Sequence, residues 1–407
     1  MPCLSIALKN VRANKKRAAI TILLISVTTA LLVFASAFMD GSHNQMIRSS
    51  LEIYPGYLQI THKEFRETPS YDNLIFDLES IKASLAKVPG IAVFAARFES
   101  FVLFATADKA VGGMLTGIEP EKEKQLSRLE SSLVSGRYLT SGDTNTLYIG
   151  NEFAKRLDIA VGDELSFIGS GADYSFAADT LIVKGIFQTG LFDFDASAAF
   201  MNKDYFDRIM ASTGLATHVI VLPDEPRKVA IVADAIRQKI SPDYSIEDWT
   251  SFMGGLVEAM EVDSIFGYIT LGIIFIVILF VIIIYTLLAM YARIREIGIL
   301  RAIGTTPGQI LGMLLSESII LASVSVLLGG LFGGGLAYYF QLNPIVYSGY
   351  EEQFKQYGLA MSAMPAEFAP LTILRDMGIM FFLSILATLY PILKVNRYKP
   401  IEAIHHV

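Results

Sequence analysis

Four uncharged, apolar blocks constrain this chain more than any other feature of it. Ala18 to Met39 runs for 22 residues without a charge, Ile265 to Ala292 for 28, Ser318 to Phe340 for 23 and Met377 to Leu393 for 17. About 20 such residues cross roughly 30 Å of hydrocarbon at 1.5 Å each, so each block predicts a membrane-spanning helix. The second block exceeds what a bilayer needs and predicts a helix that tilts or projects. The fourth is short and carries Pro391 near its end. Between the first two blocks lie 225 residues of ordinary polarity, enough for a domain with its own core. The 18% of charged residues falls below the quarter usual in soluble proteins, and the deficit sits in these blocks.

Basic residues beside the blocks set the expected orientation. Lys9, Arg12, Lys15, Lys16 and Arg17 precede the first, Arg293, Arg295 and Arg301 separate the second from the third, and Lys394, Arg397 and Lys399 follow the fourth. Only Glu296 and Glu402 oppose these 11 cations. Cytoplasmic segments carry such an excess, so both termini are predicted inside and the long insert outside. The organisation expected is a basic segment 1–17, spans at 18–39, 265–292, 310–340 and 373–393, an external domain 40–264, a cytoplasmic loop 293–309, an external loop 341–372 and a cytoplasmic tail 394–407. The net charge of −7 averages two opposite regions and gives no reason to expect nucleic acid as a partner. The single cysteine, Cys3, forms no internal disulfide.

The insert alternates strand-like and helix-like stretches. Tyr57 to Thr61, Ile91 to Thr106, Leu147 to Gly150, Leu181 to Phe187 and His218 to Leu222 read as strands. Leu78 to Val88, Asn151 to Leu157 and Glu225 to Ile240 read as helices. The mixture predicts an α+β domain of two subdomains, one from both ends of the insert (about 40–120 and 215–250) and one from its middle. No catalytic or metal-binding constellation stands out. The five histidines (43, 62, 218, 405 and 406) lack ligand spacing. Asp193 and Asp195 read as turn residues rather than an acid–base pair. No Gly-Lys dipeptide occurs, so the chain holds no Walker-type phosphate loop.

The stretch Tyr291 to Ile310 carries the most mechanism. Ile294, Ile297, Leu300 and Ile303 recur every three residues among Arg293, Arg295, Glu296 and Arg301, Gly304 ends the pattern, and Thr306, Pro307 and Gln309 open a new helix. A short amphipathic helix between two spans is expected, either lying on lipid headgroups or docking into a cytoplasmic partner. In the third span Ser325, Gly329, Gly333 and Ala337 stand four apart, a face suited to close packing on this chain's own spans or on a second chain. Glu317 is an intramembrane carboxylate expected to reach Arg301 or backbone groups.

Taken together, Ala7-Leu-Lys-Asn-Val-Arg12 with Lys15-Lys-Arg17, the run Arg295-Glu-Ile-Gly-Ile-Leu-Arg-Ala-Ile-Gly304, Glu317, Tyr390-Pro-Ile-Leu-Lys394 and Lys399-Pro-Ile-Glu-Ala403 resemble the FtsX-like, MacB-type permeases of mechanotransmitting ABC transporters. Three external stretches are similar to the lipoprotein-releasing branch, LolC and LolE. They are Gly56-Tyr-Leu-Gln-Ile60, Ser135-Gly-Arg-Tyr-Leu139 and Gly185-Ile-Phe-Gln-Thr-Gly-Leu191. The resemblance implies a non-enzymatic permease without cofactor or metal, in the inner membrane, paired with an identical or homologous permease chain and with two copies of a separate ATPase. Residues 293–304 would form the coupling helix, with Arg295, Glu296, Ile297, Leu300, Arg301, Ile303 and Gly304 at the ATPase. A lipoprotein would leave the outer leaflet for a periplasmic carrier, docked by a hairpin at Gly169 to Asp179 through Ser170, Tyr174 and Phe176. An efflux permease for an antimicrobial, peptide or lipid, or a regulator relaying ATPase motion to an external hydrolase, shares the same implied architecture.

Overall fold

The computed structural model describes residues 2–346 and 363–396. The chain divides into two compact units, one of residues 1–45, 259–346 and 363–407, the other of residues 46–258 and 347–362. Half of the expected external loop 341–372, residues 347–362, and residues 397–407 of the expected tail lie outside the described residues.

Among the described residues four helices are long and apolar enough to cross a membrane: Lys15–Ile53, Gly254–Tyr291, Pro307–Leu342 and Pro370–Asn396. A helix at Pro2–Ala13 precedes the first, and Ile294–Ala302 links the second to the third. Each spanning helix outruns its uncharged block, because a helix needs apolar residues only where it meets hydrocarbon. The fourth begins seven residues before Met377 and takes in Arg375 and Asp376. Arg375 Nε donates to Asp376 Oδ1 at 3.0 Å, and Asp376 is 4% exposed. Glu317 is therefore one of two buried carboxylates in the spanning helices, Asp376 being the other, among the described residues. The helices meet in a core of Ile25 and Leu32 from the first, Ile278 and Ile282 from the second, Val326 from the third, and Met380 and Ala387 from the fourth.

The other unit is the expected α+β domain, built on a ten-stranded sheet. Its strands are β1 (Leu58–His62), β2 (Ile91–Ala105), β3 (Ala110–Ile118), β4 (Leu133–Gly136), β5 (Thr146–Gly150), β6 (Glu164–Ser170), β7 (Phe176–Phe187), β8 (Ala198–Asn202), β9 (His218–Pro223) and β10 (Tyr244–Asp248). The order is β10-β1-β9-β2-β3-β8-β5-β7-β4, with β6 pairing β2 and β7. Two cores flank this sheet. One joins β1, β9, β10 and the start of β2 to the helices Leu78–Leu85 and Val229–Arg237, through Ile60, Leu78, Val219 and Ile236. The other joins the rest of β2 to β3, β5, β6, β7 and β8 around Phe104, Phe153, Phe167 and Phe206. The division follows the expected two subdomains except over 98–118, the second half of β2 and all of β3. There β3 pairs with the second half of β2 and runs parallel to β8, which places it with the middle elements.

Candidate coupling site

The second spanning helix ends at Tyr291, and Arg293 stands as the cap of the linking helix Ile294–Ala302. Gly304 follows with φ +101°, a backbone conformation that favours glycine and stops the helix. Thr306 and Gln309 close a capping box: Gln309 N donates to Thr306 Oγ1 at 3.4 Å and Thr306 N to Gln309 Oε1 at 3.0 Å. Pro307 then opens the third span.

The three-residue stripe divides between two faces. Ile294 and Ile297 are buried, with Ile297 packing among Met290, Ile310, Met313, Leu314 and Ile392, and Leu300 rests against the same core. Ile303 is 75% exposed, and Arg295, Glu296, Ile299 and Gly304 are exposed beside it. Arg301 is half-buried. The reason is geometric. Successive residues turn about 100° around a helix, so a three-residue step falls about 60° short of a full turn and three steps reach the opposite side. Ile297 and Leu300 therefore hold the helix to its own chain, and its exposed face carries Arg295, Glu296, Ile299 and Ile303. Ile299 lies off the stripe and escaped the sequence pattern.

Glu317 meets Arg293 rather than Arg301. Arg293 Nη1 donates to both carboxylate oxygens, at 3.1 and 2.9 Å, and its Nε donates to Glu296 Oε2 at 3.1 Å. Arg293 and Glu317 are both buried. Arg301 lies eight residues further along the linking helix, about 12 Å at the helical rise, which puts it at the far end from this carboxylate. Burial disfavours the Arg293 charge, but Glu317 outweighs it and holds the guanidinium above its ordinary value. The pair ties the start of the linking helix to the third span.

The small-residue face packs on this chain's first span. A Cβ at Gly329 would lie 2.5 Å from Ser26 O, and one at Gly333 would lie 2.7 Å from Ala30 O. Ser26 Oγ donates to Ser325 O at 2.9 Å, and Ala337 is buried with Ala37 and Ala366. Gly330 and Gly334 turn instead to Met377 and Ile373 of the fourth span.

In the α+β unit, β6 and β7 form the expected hairpin, with Ser170 paired to Phe176 across a turn. Ser170 is half-buried. Tyr174 sits at φ +64°, its ring 5.8 Å from Tyr71 and its hydroxyl 3.2 Å from Ser70 Oγ. Phe176 is 77% exposed, and β2 and β6 add exposed Phe101, Leu103 and Ile168, the last two paired directly. These three have no sequence signal as a group, because β2 and β6 meet only in the folded sheet. Asp195 is a turn residue: its carboxylate accepts from Thr189 N at 3.0 Å, Thr189 Oγ1 at 2.7 Å and Gly190 N at 3.0 Å. Burial raises its pKa and those donors oppose the rise. Among the described residues no three His, Cys, Asp or Glu side chains are grouped to hold a metal ion.

Four spans, an α+β insert after the first and a braced helix between the second and third define a polytopic membrane permease. Residues 18–239 match the family described as the MacB-like periplasmic core domain, and residues 268–400 match the FtsX-like permease C-terminal family. The chain belongs to the FtsX-like permeases with a MacB-like periplasmic core, and so is an ABC transporter permease of the inner membrane. It is 24% identical to the lipoprotein-releasing system transmembrane protein LolC of Neisseria meningitidis serogroup B, over 98% of both chains. Identity to LolC of Xylella fastidiosa is 23% over 78% of each. The uncharacterized ABC transporter permease YknZ of Bacillus subtilis is 25% identical over 82% of this chain and 84% of its own. Among solved structures, the periplasmic region of MacB from Actinobacillus actinomycetemcomitans covers 52% of this chain and 95% of its own, with 13% identity and a TM-score of 0.38.

Proposed function

We propose that this permease extracts lipoproteins from the outer leaflet of the inner membrane and releases them to a periplasmic carrier, driven by a separate ATPase. The observation that carries the reading is the similarity to one LolC protein along nearly the whole chain, spans and insert together, and to others over about three quarters of it. The linking helix supplies the mechanical input. Its exposed end, Ile299 and Ile303 between Arg295 and Glu296, is a compact apolar knob with charged edges, and Arg293–Glu317 passes a push on it to the third span. Two copies of the ATPase, each on one permease chain, close on nucleotide and move these helices.

The cargo route follows from the exposed faces. Ile269, Ile273, Ile276, Phe280, Ile284 and Leu288 make one exposed stripe along the second spanning helix. It offers acyl chains and a second permease chain, identical or homologous, an apolar wall. The patch of Phe101, Leu103, Ile168 and Phe176 receives the carrier. In this orientation the termini and linking helix are cytoplasmic and the α+β unit periplasmic, the arrangement that the flanking cations favour.

A second reading is an efflux permease for a peptide, antimicrobial or lipid on the same architecture; the similarity to YknZ, an uncharacterized ABC transporter permease, carries no lipoprotein assignment. Gentle purification of the tagged chain from native membranes, with mass spectrometry of what it retains, separates the two. An ATPase with acylated lipoproteins is the expected result. An ATPase with an adaptor and no lipoprotein overturns the cargo assignment.

A further inference from the structure

The end of the first spanning helix is gripped by a fully buried arginine. That helix finishes at Ile53, and helix ends leave carbonyls without intrahelical partners and a partial negative charge. Three carbonyls are taken up here. Gly56 N donates to Leu51 O at 2.9 Å, Arg128 N to Glu52 O at 2.7 Å, and Arg97 Nη1 to Tyr54 O at 2.8 Å. Side chains repeat the arrangement. The Arg97 guanidinium lies 3.9 Å from the Tyr54 ring centre, Tyr54 Oη donates to Glu99 Oε1 at 2.5 Å, and Arg128 Nε donates to Glu52 Oε2 at 2.9 Å.

Arg97 is itself immobilised. Its Nε donates to Glu123 Oε2 at 3.0 Å and its Nη2 to Glu123 Oε1 at 2.6 Å, and neither side chain is exposed at all. Its place in the sheet matters as much. Arg97 is the last residue of β2 paired with β9, and Phe98 the first paired with β3, so it stands where the strand passes from one core to the other. A burial of this kind is a poor device for stability alone, since well-packed apolar residues of similar volume commonly do as well. An apolar pair would not hold Tyr54 O.

We propose that Arg97, clamped by Glu123, is a positioning residue that fixes the end of the first spanning helix to the strand shared by both cores, so that displacement of that helix moves the α+β unit as one body. The inference rests on the permease being driven by an ATPase, but not on the identity of its cargo. Removing the grip leaves hydrolysis intact and disconnects it from the α+β unit.

Arg97→Met with Glu123→Met tests this, because it replaces the buried pair by apolar side chains and leaves no lone charge to unfold the domain. Arg97→Lys is the companion variant, keeping the charge and losing the planar fork. The permease and its copurifying ATPase, with the ATPase tryptophans replaced by phenylalanine, are placed in lipid nanodiscs. Trp249 is the chain's single tryptophan, and its backbone N donates to Tyr57 O at 3.1 Å, close to the gripped segment. Three quantities are read: ATP hydrolysis, the ATP-induced change in Trp249 emission, and release of acylated lipoprotein. Both variants are expected to hydrolyse ATP within about twofold of wild type while the Trp249 response and the release fall roughly fivefold or more. A double-methionine variant that melts like wild type and keeps the full Trp249 response overturns the proposal. If the wild type responds at Trp249 yet releases no lipoprotein, the cargo assignment fails, and the Trp249 response of the variants alone decides the role of Arg97.

Discussion

Gly329 offers the sharpest quantitative test of how the membrane unit is packed. A Cβ there would lie 2.5 Å from Ser26 O and 2.6 Å from Thr29 Cβ, whereas ordinary contact begins near 3.4 Å. Ser26 O is backbone and cannot swing aside, so Gly329→Ala forces the first and third spans apart by about 0.9 Å. The Ser26 Oγ–Ser325 O hydrogen bond, 2.9 Å now, would stretch to about 3.8 Å and be lost. Overpacking costs about 1–3 kcal/mol and the lost bond about 1 kcal/mol. Better helix propensity returns about 1 kcal/mol. The net expectation is a destabilisation of about 1–3 kcal/mol. Gly335 is the control: a Cβ there meets nothing within 4 Å, so Gly335→Ala gains the propensity term alone and stabilises by up to about 1 kcal/mol. Unfolding by SDS titration in mixed micelles measures both. Equal midpoints for the two variants would refute the close approach of the first and third spans.

Other perturbations probe the remaining parts. Ile303→Asp is expected to leave the fold intact, because the side chain is 75% exposed, and to cut ATPase copurification about tenfold, whereas Ile297→Asp, at 3% exposure, prevents stable folding; purification yields and ATPase stoichiometry separate them. Glu317→Gln leaves Arg293 with only the exposed Glu296 as a counter-charge and costs up to about 3–5 kcal/mol, while Arg293→Met with Glu317→Met recovers most of the loss, read by the same SDS titration. Asp143 is held down to about 2 by hydrogen bonds from Arg137, helped by Thr140. Its folded pKa is depressed, so its contribution is complete above the ordinary carboxylate range and is lost as pH falls from about 4 to about 2. Melting curves of wild type and Asp143→Asn over that range should therefore converge at the acid end.

Much of this molecule is legible in local sequence. Leu147 to Gly150 and Asn151 to Leu157 are strand and helix almost as the pattern has them, because a burial-driven alternation and a turn signal adjoin there. The linking helix, its Gly304 stop and the Thr306–Gln309 box are equally local. What the sequence withheld depends on three-dimensional phase and on distant partners. A three-residue repeat looks like one face but winds to the other, which separated Ile303 from Ile294. The partner of Glu317 was set by which arginine is buried, and the fourth helix starts three residues before the expected span at 373. The grip of Arg97 on Tyr54 joins residues 43 apart, through a strand whose two halves serve different cores.

The most direct test of the mechanism is photocrosslinking in native membranes, with a benzophenone amino acid replacing Ile303. An adduct between this chain and an ABC ATPase is expected, absent when the probe replaces Ile276, exposed in the middle of the second spanning helix, instead. Adducts to lipid alone from position 303 would mean that the linking helix lies on headgroups, and would contradict the mechanical coupling on which the proposed function stands.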